Sequence, residues 1–193
     1  MTRKRVAILI SGRGSNMMAL IDAAKAPDYP AEIALVVSNV PDAPGIARAR
    51  EAGIASEVVE HKAFGKDREA FDKAVHAALE AHRIDLVCLA GFLRVLTPWF
   101  VSQWNGRLVN IHPSLLPAFK GLDTHARALA AGAKTHGATV HFVVPELDSG
   151  PIIAQELVPV LPGDTAESLA ARVLQAEYRI YPLALKRVVE GQA

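Results

Sequence analysis

Asn110, His112 and Asp148 are the residues of this chain whose types and spacing point most directly to chemistry. The first two lie in Leu108-Val-Asn-Ile-His-Pro-Ser114, an apolar run that acquires polar side chains and is stopped by Pro113. Read as a strand, the run places Asn110 and His112 on one face, with Cα atoms about 6–7 Å apart. They converge at the strand's C-terminal end, the edge at which open α/β sheets bind ligands. Asp148 follows in the turn-rich segment Pro145-Glu-Leu-Asp-Ser-Gly-Pro151. Asparagine supplies a neutral donor and histidine a proton carrier, and a carboxylate beside that carrier favours its charged form. Such a set suits acyl-type transfer through a tetrahedral intermediate. Each residue alone has a plainer structural reading, and an Asp in a turn usually bonds its own backbone. The pairing of Asn110 with His112 on one face favours function.

A second candidate is Ser11-Gly-Arg-Gly-Ser-Asn16, which follows the first apolar run and opens the first amphipathic stretch. Gly12 and Gly14 permit a tight turn and a close approach of backbone N–H groups to an anion, and Ser15 and Asn16 add donors at the positive end of a helix. The dinucleotide fingerprint needs a third glycine where this chain has Met17, so the loop reads as a monophosphate site and not as an NAD site. An ordinary βα turn with a serine cap is the alternative. Thr139 and His141 share a strand face in Gly137-Ala-Thr-Val-His-Phe-Val143, where they either support the same cleft or make a structural hydrogen bond. Gly91-Phe-Leu-Arg-Val-Leu-Thr-Pro98 is apolar yet falls at the ligand-binding edge; it either packs into the core or forms a wall for a flat aromatic ligand. His61, His76, His82, His125 and His136 lack metal-ligand spacing, and no Gly-x-Ser-x-Gly elbow or Walker loop is present.

The elements that must position these residues read as follows. Strands are expected over 6–10, 33–37, 56–59, 86–90 and 108–112, alternating with helices over 15–24, 45–52, 67–82 and 97–104. The clearest helix carries Phe71, Ala74, Val75, Ala78 and Leu79 on one stripe, with Asp67 as its N-cap. Near-continuous Val/Ile/Leu strands alternating with helices imply a Rossmann-like α/β fold with a mostly parallel central sheet. The character changes after Pro113: a loop, a short helix over 124–131, strands over 137–144 and 152–160 with at least one antiparallel pairing, and a helical stretch over 164–189. That last stretch is expected to start with a capping box of Asp164 and Glu167 and to be kinked or divided at Pro182. The chain of 193 residues reads as a single domain in two halves.

Charge is balanced, with 21 Lys and Arg against 20 Asp and Glu, which argues against a general nucleic-acid or membrane-surface binder. Cys88 is the only cysteine, so no intrachain disulfide forms, and its apolar surroundings make it a core residue. The basic start Thr2-Arg-Lys-Arg5 precedes an apolar run too short for a secretory signal, and no run reaches membrane-spanning length. A cytoplasmic location is expected.

Taken together, Ile10-Ser-Gly-Arg-Gly-Ser-Asn16, Ala90-Gly-Phe-Leu-Arg94, Asn110-Ile-His-Pro-Ser-Leu-Leu-Pro117, Gly137-Ala-Thr-Val-His-Phe-Val143 and Glu146-Leu-Asp-Ser-Gly-Pro151 resemble the phosphoribosylglycinamide formyltransferases, the folate-dependent glycinamide ribonucleotide transformylases of purine synthesis. The resemblance implies a catalytic set of Asn110, His112 and Asp148. It implies contacts to the substrate phosphate from Gly14, Ser15 and Asn16, and to its ribose and amine end from Glu177. The folate site would comprise Arg68, the segment Leu93, Arg94, Val95 and Leu96, the loop that includes Val143, Val144, Glu146 and Asp148, and Asn110. Thr139 and His141 would be supporting, Thr139 in a position that serves Asp148 or its water. At Leu174 relatives often carry a polar side chain. The co-substrate implied is 10-formyltetrahydrofolate, with no metal. The partners implied are small molecules, with no nucleic acid or membrane and with a homodimer as an option.

The mechanism implied is attack of the neutral amine of glycinamide ribonucleotide on the formyl carbon. Asn110 and His112 would stabilise the oxyanion, and Asp148 or an ordered water would carry the proton. Formyltetrahydrofolate hydrolases use a similar Asn/His/Asp set but usually carry an N-terminal regulatory domain, whereas this chain starts at its first strand. Methionyl-tRNA formyltransferases add a C-terminal RNA-binding domain. A non-catalytic nucleotide-binding module is the reading from a different class.

Overall fold

A computed structural model describes residues 2–193, which divide into two compact units, one ending at Val109 and one running from Asn110 to Ala193. The first unit is built from strands β1 (Lys4–Ile10), β2 (Ala31–Ser38), β3 (Ser56–Val58) and β4 (Leu86–Leu89), with helices α1 (Ser15–Ala24), α2 (Pro44–Glu51), α3 (Arg68–Ala81) and α4 (Pro98–Gln103) between and after them. The strands lie in the order β3-β2-β1-β4 and pair in parallel throughout. From β1 the chain winds to one side through β2 and β3 and then returns to place β4 on the other. The C-terminal ends of β1 and β4 therefore flank the point where the winding reverses, which is where such sheets leave a crevice. β1 and β4 are buried almost throughout, as expected of apolar strands covered on both faces.

The predicted stripe of α3 is observed with one addition. Phe71, Val75, Ala78 and Leu79 are buried, Ala74 is half-buried, and Asp72 joins the buried set. Asp67 caps the helix by accepting the N–H of Ala70 at 2.9 Å.

β5 (Leu108–His112) crosses the boundary between the units. In the second unit, β5 is followed by α5 (Thr124–Ala130), β6 (Thr135–Phe142), β7 (Ile152–Pro159) and α6 (Ala166–Val189). β6 lies between β5 and β7 and pairs antiparallel with β7, so the expected antiparallel element is present. The register shifts between Val140 and His141, and β6 is buried on both faces from His136 to His141, so Thr139 and His141 both lie inside. Gly137 is required by this pairing, because a Cβ there would lie 2.1 Å from the carbonyl oxygen of Glu156.

Two expectations for the C-terminal helix are corrected. The capping box is formed by Thr165 and Ser168, one residue later than expected, because Asp164 instead accepts from Leu161 N–H and from the Arg172 guanidinium. These bonds hold the Asp164 carboxyl well below the usual carboxylate range. The helix is also not divided at Pro182 but runs on through it to Val189. Ile180, Tyr181, Ala184 and Leu185 are buried on both sides of the proline, so packing holds the turn from which it removes one hydrogen bond.

Candidate active site

In the first unit, the loop between β1 and α1 lines a cavity of about 180 Å³ with Gly12, Arg13, Gly14, Ser15 and Asn16, closed by Ala90 and Gly91 after β4. Three of the loop's carbonyls are held by hydrogen bonds. Gly12 O accepts from the N–H of Gly45 and Gly14 O from that of Met18, both at 3.0 Å, and Arg13 O accepts from Arg48 at 3.0 Å. Gly14 is the N-cap of α1 in a left-handed conformation, with no side chain capping the helix and no acid in its first turn. The first N–H groups of a helix lack internal partners, so this end offers donors and partial positive charge to an anion. Gly14 is required by its φ of 67°; a Cβ there would also press on Cε of Met17 at 2.8 Å and on Cα of Gly45 at 3.3 Å. Met17 thus fills the space over the loop where a third glycine was missed. Asn16 Oδ1 is buried without a hydrogen-bond partner; turning the amide would present its NH2 group to an anion at the same place.

The segment Gly91–Thr97 is pinned from α3. Phe71 stacks on Phe92 with ring centroids 6.5 Å apart, and the Arg94 guanidinium lies 4.8 Å from the Phe71 ring. The Arg68 guanidinium donates to the carbonyl of Val95. Buried Asp72 accepts from both the N–H and the hydroxyl of Thr97, at 2.7 and 2.6 Å. Leu96 is buried, whereas the side chains of Leu93 and Val95 are exposed.

The second unit brings the predicted catalytic residues together. Nδ1 of His112 lies 3.5 Å from Oδ2 of Asp148, and its Nε2 donates to the carbonyl of Phe119 at 2.9 Å. Both ring nitrogens face acceptors, an environment in which only the imidazolium has an N–H for each. His141 Nδ1 donates to the carbonyl of Phe142 at 2.9 Å, leaving Nε2 to face the Asn110 amide at 3.4 Å and Asp148 Oδ1 at 3.8 Å. Burial is the main force lowering the pKa of His141, only partly opposed by the Phe142 carbonyl and Asp148, so its ring is neutral and accepts from Asn110. Asp148 sits in the left-handed region at φ 48°, which Asp tolerates, and its Oδ2 accepts the N–H of Gly121 at 2.8 Å. Gly150 allows the turn to close, because a Cβ there would lie 1.7 Å from the carbonyl oxygen of Phe142.

Other predicted residues fall nearby or elsewhere. The Thr139 hydroxyl donates to Ser114 O and accepts from Leu116 N–H and Gln155, bracing the turn after β5; it is His141 that contacts Asp148. Val143 and Val144 are half-buried in the turn before Asp148, and Glu146 is exposed, 3.9 Å from Lys120. Glu177 is buried on α6, and Leu174 is half-buried there. Among the described residues, no group of His, Cys, Asp and Glu is arranged to hold a metal ion, and no helix is long and apolar enough to cross a membrane.

Sequence reading missed the Phe119 carbonyl and the Gly121 amide, which carry no side-chain signal. It also missed Asp72, although a charge on the apolar stripe of α3 was there to find.

This geometry can be set beside known proteins. Residues 4–185 match the formyl transferase family. The phosphoribosylglycinamide formyltransferase of Haemophilus influenzae is 46% identical over 98% of this chain and 89% of its own length. The human trifunctional purine biosynthetic protein adenosine-3 is 50% identical over 98% of this chain, which spans only 19% of that longer relative. The crystal structure of phosphoribosylglycinamide formyltransferase from Brucella melitensis superposes with a TM-score of 0.94 at 55% identity, covering 100% of this chain and 98% of that one. That agreement extends over the mostly parallel sheet, its antiparallel C-terminal pairing and the flanking helices. On both sequence and structure, the chain belongs to the formyl transferase family.

Proposed function

We propose that this chain is a phosphoribosylglycinamide formyltransferase, moving the formyl group of 10-formyltetrahydrofolate to the amine of glycinamide ribonucleotide in purine synthesis. The observation that carries the reading is the run of contacts from Asn110 through His141 and Asp148 to His112. It is supported by the likeness to relatives that bear this name.

The neutral amine attacks the formyl carbon, a C–N bond forms, and the carbonyl electron pair moves to oxygen. Asn110, oriented by neutral His141, donates its remaining amide N–H to that oxyanion, a contribution of about 3–4 kcal/mol for a well-placed donor. His112 adds the field of a cation held between Phe119 O and Asp148. The attacking nitrogen gives its proton to Asp148 directly or through water, and the proton passes on to N10 of the folate as the C–N10 bond breaks. The carbonyl then reforms, and formyl and hydrogen have changed places between the two amines.

The remaining roles follow the family pattern. Gly14, Ser15 and Asn16 hold the substrate phosphate, and Glu177 holds its ribose and amine end. Arg68, the segment Leu93–Leu96 and the turn from Val143 to Asp148 hold the folate. Small molecules suffice as partners, without nucleic acid or membrane. A cytoplasmic location fits, and a homodimer is compatible with the site.

The test is the absorbance of 10-formyltetrahydrofolate followed with and without glycinamide ribonucleotide. Consumption that depends on the ribonucleotide is the expected result. Brisk formate release by the enzyme alone would replace the transferase reading with a hydrolase.

A further inference from the structure

Ser11 stands at the end of β1, one residue before the anion-binding loop, and the phosphate reading gives its side chain nothing to do. That side chain is nevertheless fully committed. Oγ lies 2.5 Å from Oδ1 of Asn39, an oxygen that can only accept, so the single hydroxyl proton points there. The lone pairs are thereby left for the N–H of Leu93, which donates to Oγ at 2.8 Å. The N–H of Ser11 itself donates to the carbonyl of Gly91 at 3.0 Å. Asn39 is buried and is fixed in turn, its carbonyl 2.8 Å from Nδ1 of His61. Leu93, by contrast, has its side chain 78% exposed, so no core contact fixes it and polar bonds to its main chain set its place.

We propose that Ser11 is a positioning residue for the folate co-substrate: its hydroxyl, oriented by Asn39, fixes the main chain of Leu93 and so aligns the segment that receives the flat ring. The inference rests on the proposed assignment of Leu93–Leu96 to the folate. It also makes Ser11 the joint between two ligand segments, since the residue that anchors Leu93 is the one from which the phosphate loop springs.

Ser11→Ala removes one acceptor and leaves the main-chain bond to Gly91 in place. In amide hydrogen exchange, the Leu93 N–H should exchange about tenfold faster than in the wild type, the size expected for one lost hydrogen bond. The KM for 10-formyltetrahydrofolate should rise about tenfold, with kcat and the KM for glycinamide ribonucleotide changed less than about twofold. Ser11→Thr, which keeps the hydroxyl, should restore both readouts. Should Ser11→Ala fail to fold, Ser11→Cys keeps the shape with a weaker acceptor and is measured the same way. Faster exchange with an unchanged folate KM would reduce Ser11 to a structural contact and overturn the proposal, as would an equal rise in both KM values. A wild type that consumes no 10-formyltetrahydrofolate beside the ribonucleotide would instead overturn the proposed function and this inference with it, while Leu93 exchange would still report the local contact.

Discussion

Phe119 aims its carbonyl at Nε2 of His112 from 2.9 Å, and does so from a left-handed backbone conformation at φ 53°. Two residues later, the N–H of Gly121 bonds Asp148. A single short stretch of main chain therefore holds both members of the His112–Asp148 pair. The His112 ring is kept in place from outside the pair, and a substitution that disturbs this stretch should act on the proposed chemistry without touching the side chains of His112 or Asp148.

Asn110→Ala and His112→Ala should each lower kcat by about 10²-fold or more with the fold intact. Both act on one developing charge, so the double variant should lose less than the product of the two. Steady-state kinetics with circular dichroism as a fold control would check this; near-wild-type turnover in either single variant would remove that residue from the catalytic set.

Asp148→Asn preserves shape, because the amide oxygen can still accept the N–H of Gly121. It removes the charge beside His112 and the proton acceptor for the amine. Turnover should fall by about 10²-fold or more, at the scale of general acid–base terms. The melting temperature should move by only a few degrees. A variant with normal turnover would show that the carboxylate charge is dispensable.

The phosphate loop is open to a separate test. Ser15→Ala should raise the KM for glycinamide ribonucleotide far more than it lowers kcat. Gly45→Ala should do the same from outside the loop, since a Cβ at Gly45 would lie 2.9 Å from Gly12 O and 2.4 Å from Cδ1 of Ile10. Titration of inorganic phosphate by NMR would read the loop directly, and an unchanged affinity in both variants would leave an ordinary βα turn.

Acid should weaken the second unit through His136. Its ring is buried against those of Phe119 and His125, and neither ring nitrogen makes a hydrogen bond of ordinary geometry. Burial, followed by the nearby His125 and His112, lowers its pKa from 6.5 to about 4, against a smaller opposing pull from the Pro113 carbonyl. The unfolded chain therefore takes up the proton first as pH falls. The contribution of neutral His136 is complete above about pH 6.5 and is lost on the way down to about pH 4. Thermal melts across that window should show a falling melting temperature, flattened in His136→Phe. An equal slope in that variant would assign the acid sensitivity to other groups.

The fold was largely legible because its strands are apolar runs and its helices carry clear stripes. Leu108–His112 and Ser15–Ala24 have the same limits in sequence and structure. The proposed catalytic cluster was legible where side chains carry it, in Asn110, His112 and Asp148, which the structure brings together through His141. Its supports were not, because the Phe119 carbonyl and the Gly121 amide belong to a main chain that any sequence shares. The cap of α6 slipped by one residue because Asp164, a good cap by type, is taken by Arg172. Pro182 was read by its local effect, whereas buried neighbours decide whether the helix continues.

The make-up of the cavity beside α1 has a consequence for how the enzyme responds to its medium. The groups that line that cavity are main-chain amides, a hydroxyl, a carboxamide and an arginine, none of which changes charge near neutrality. Under the role proposed for this loop, recognition of a phosphate should be blind to pH except through the ligand's own second ionisation, near pH 6. In the other unit, burial is the main force lowering the pKa of His141. Under the proposed roles, anchoring and bond-making fall to groups of different chemical temper, and a pH profile of KM for the ribonucleotide should report the ligand while that of kcat reports the protein.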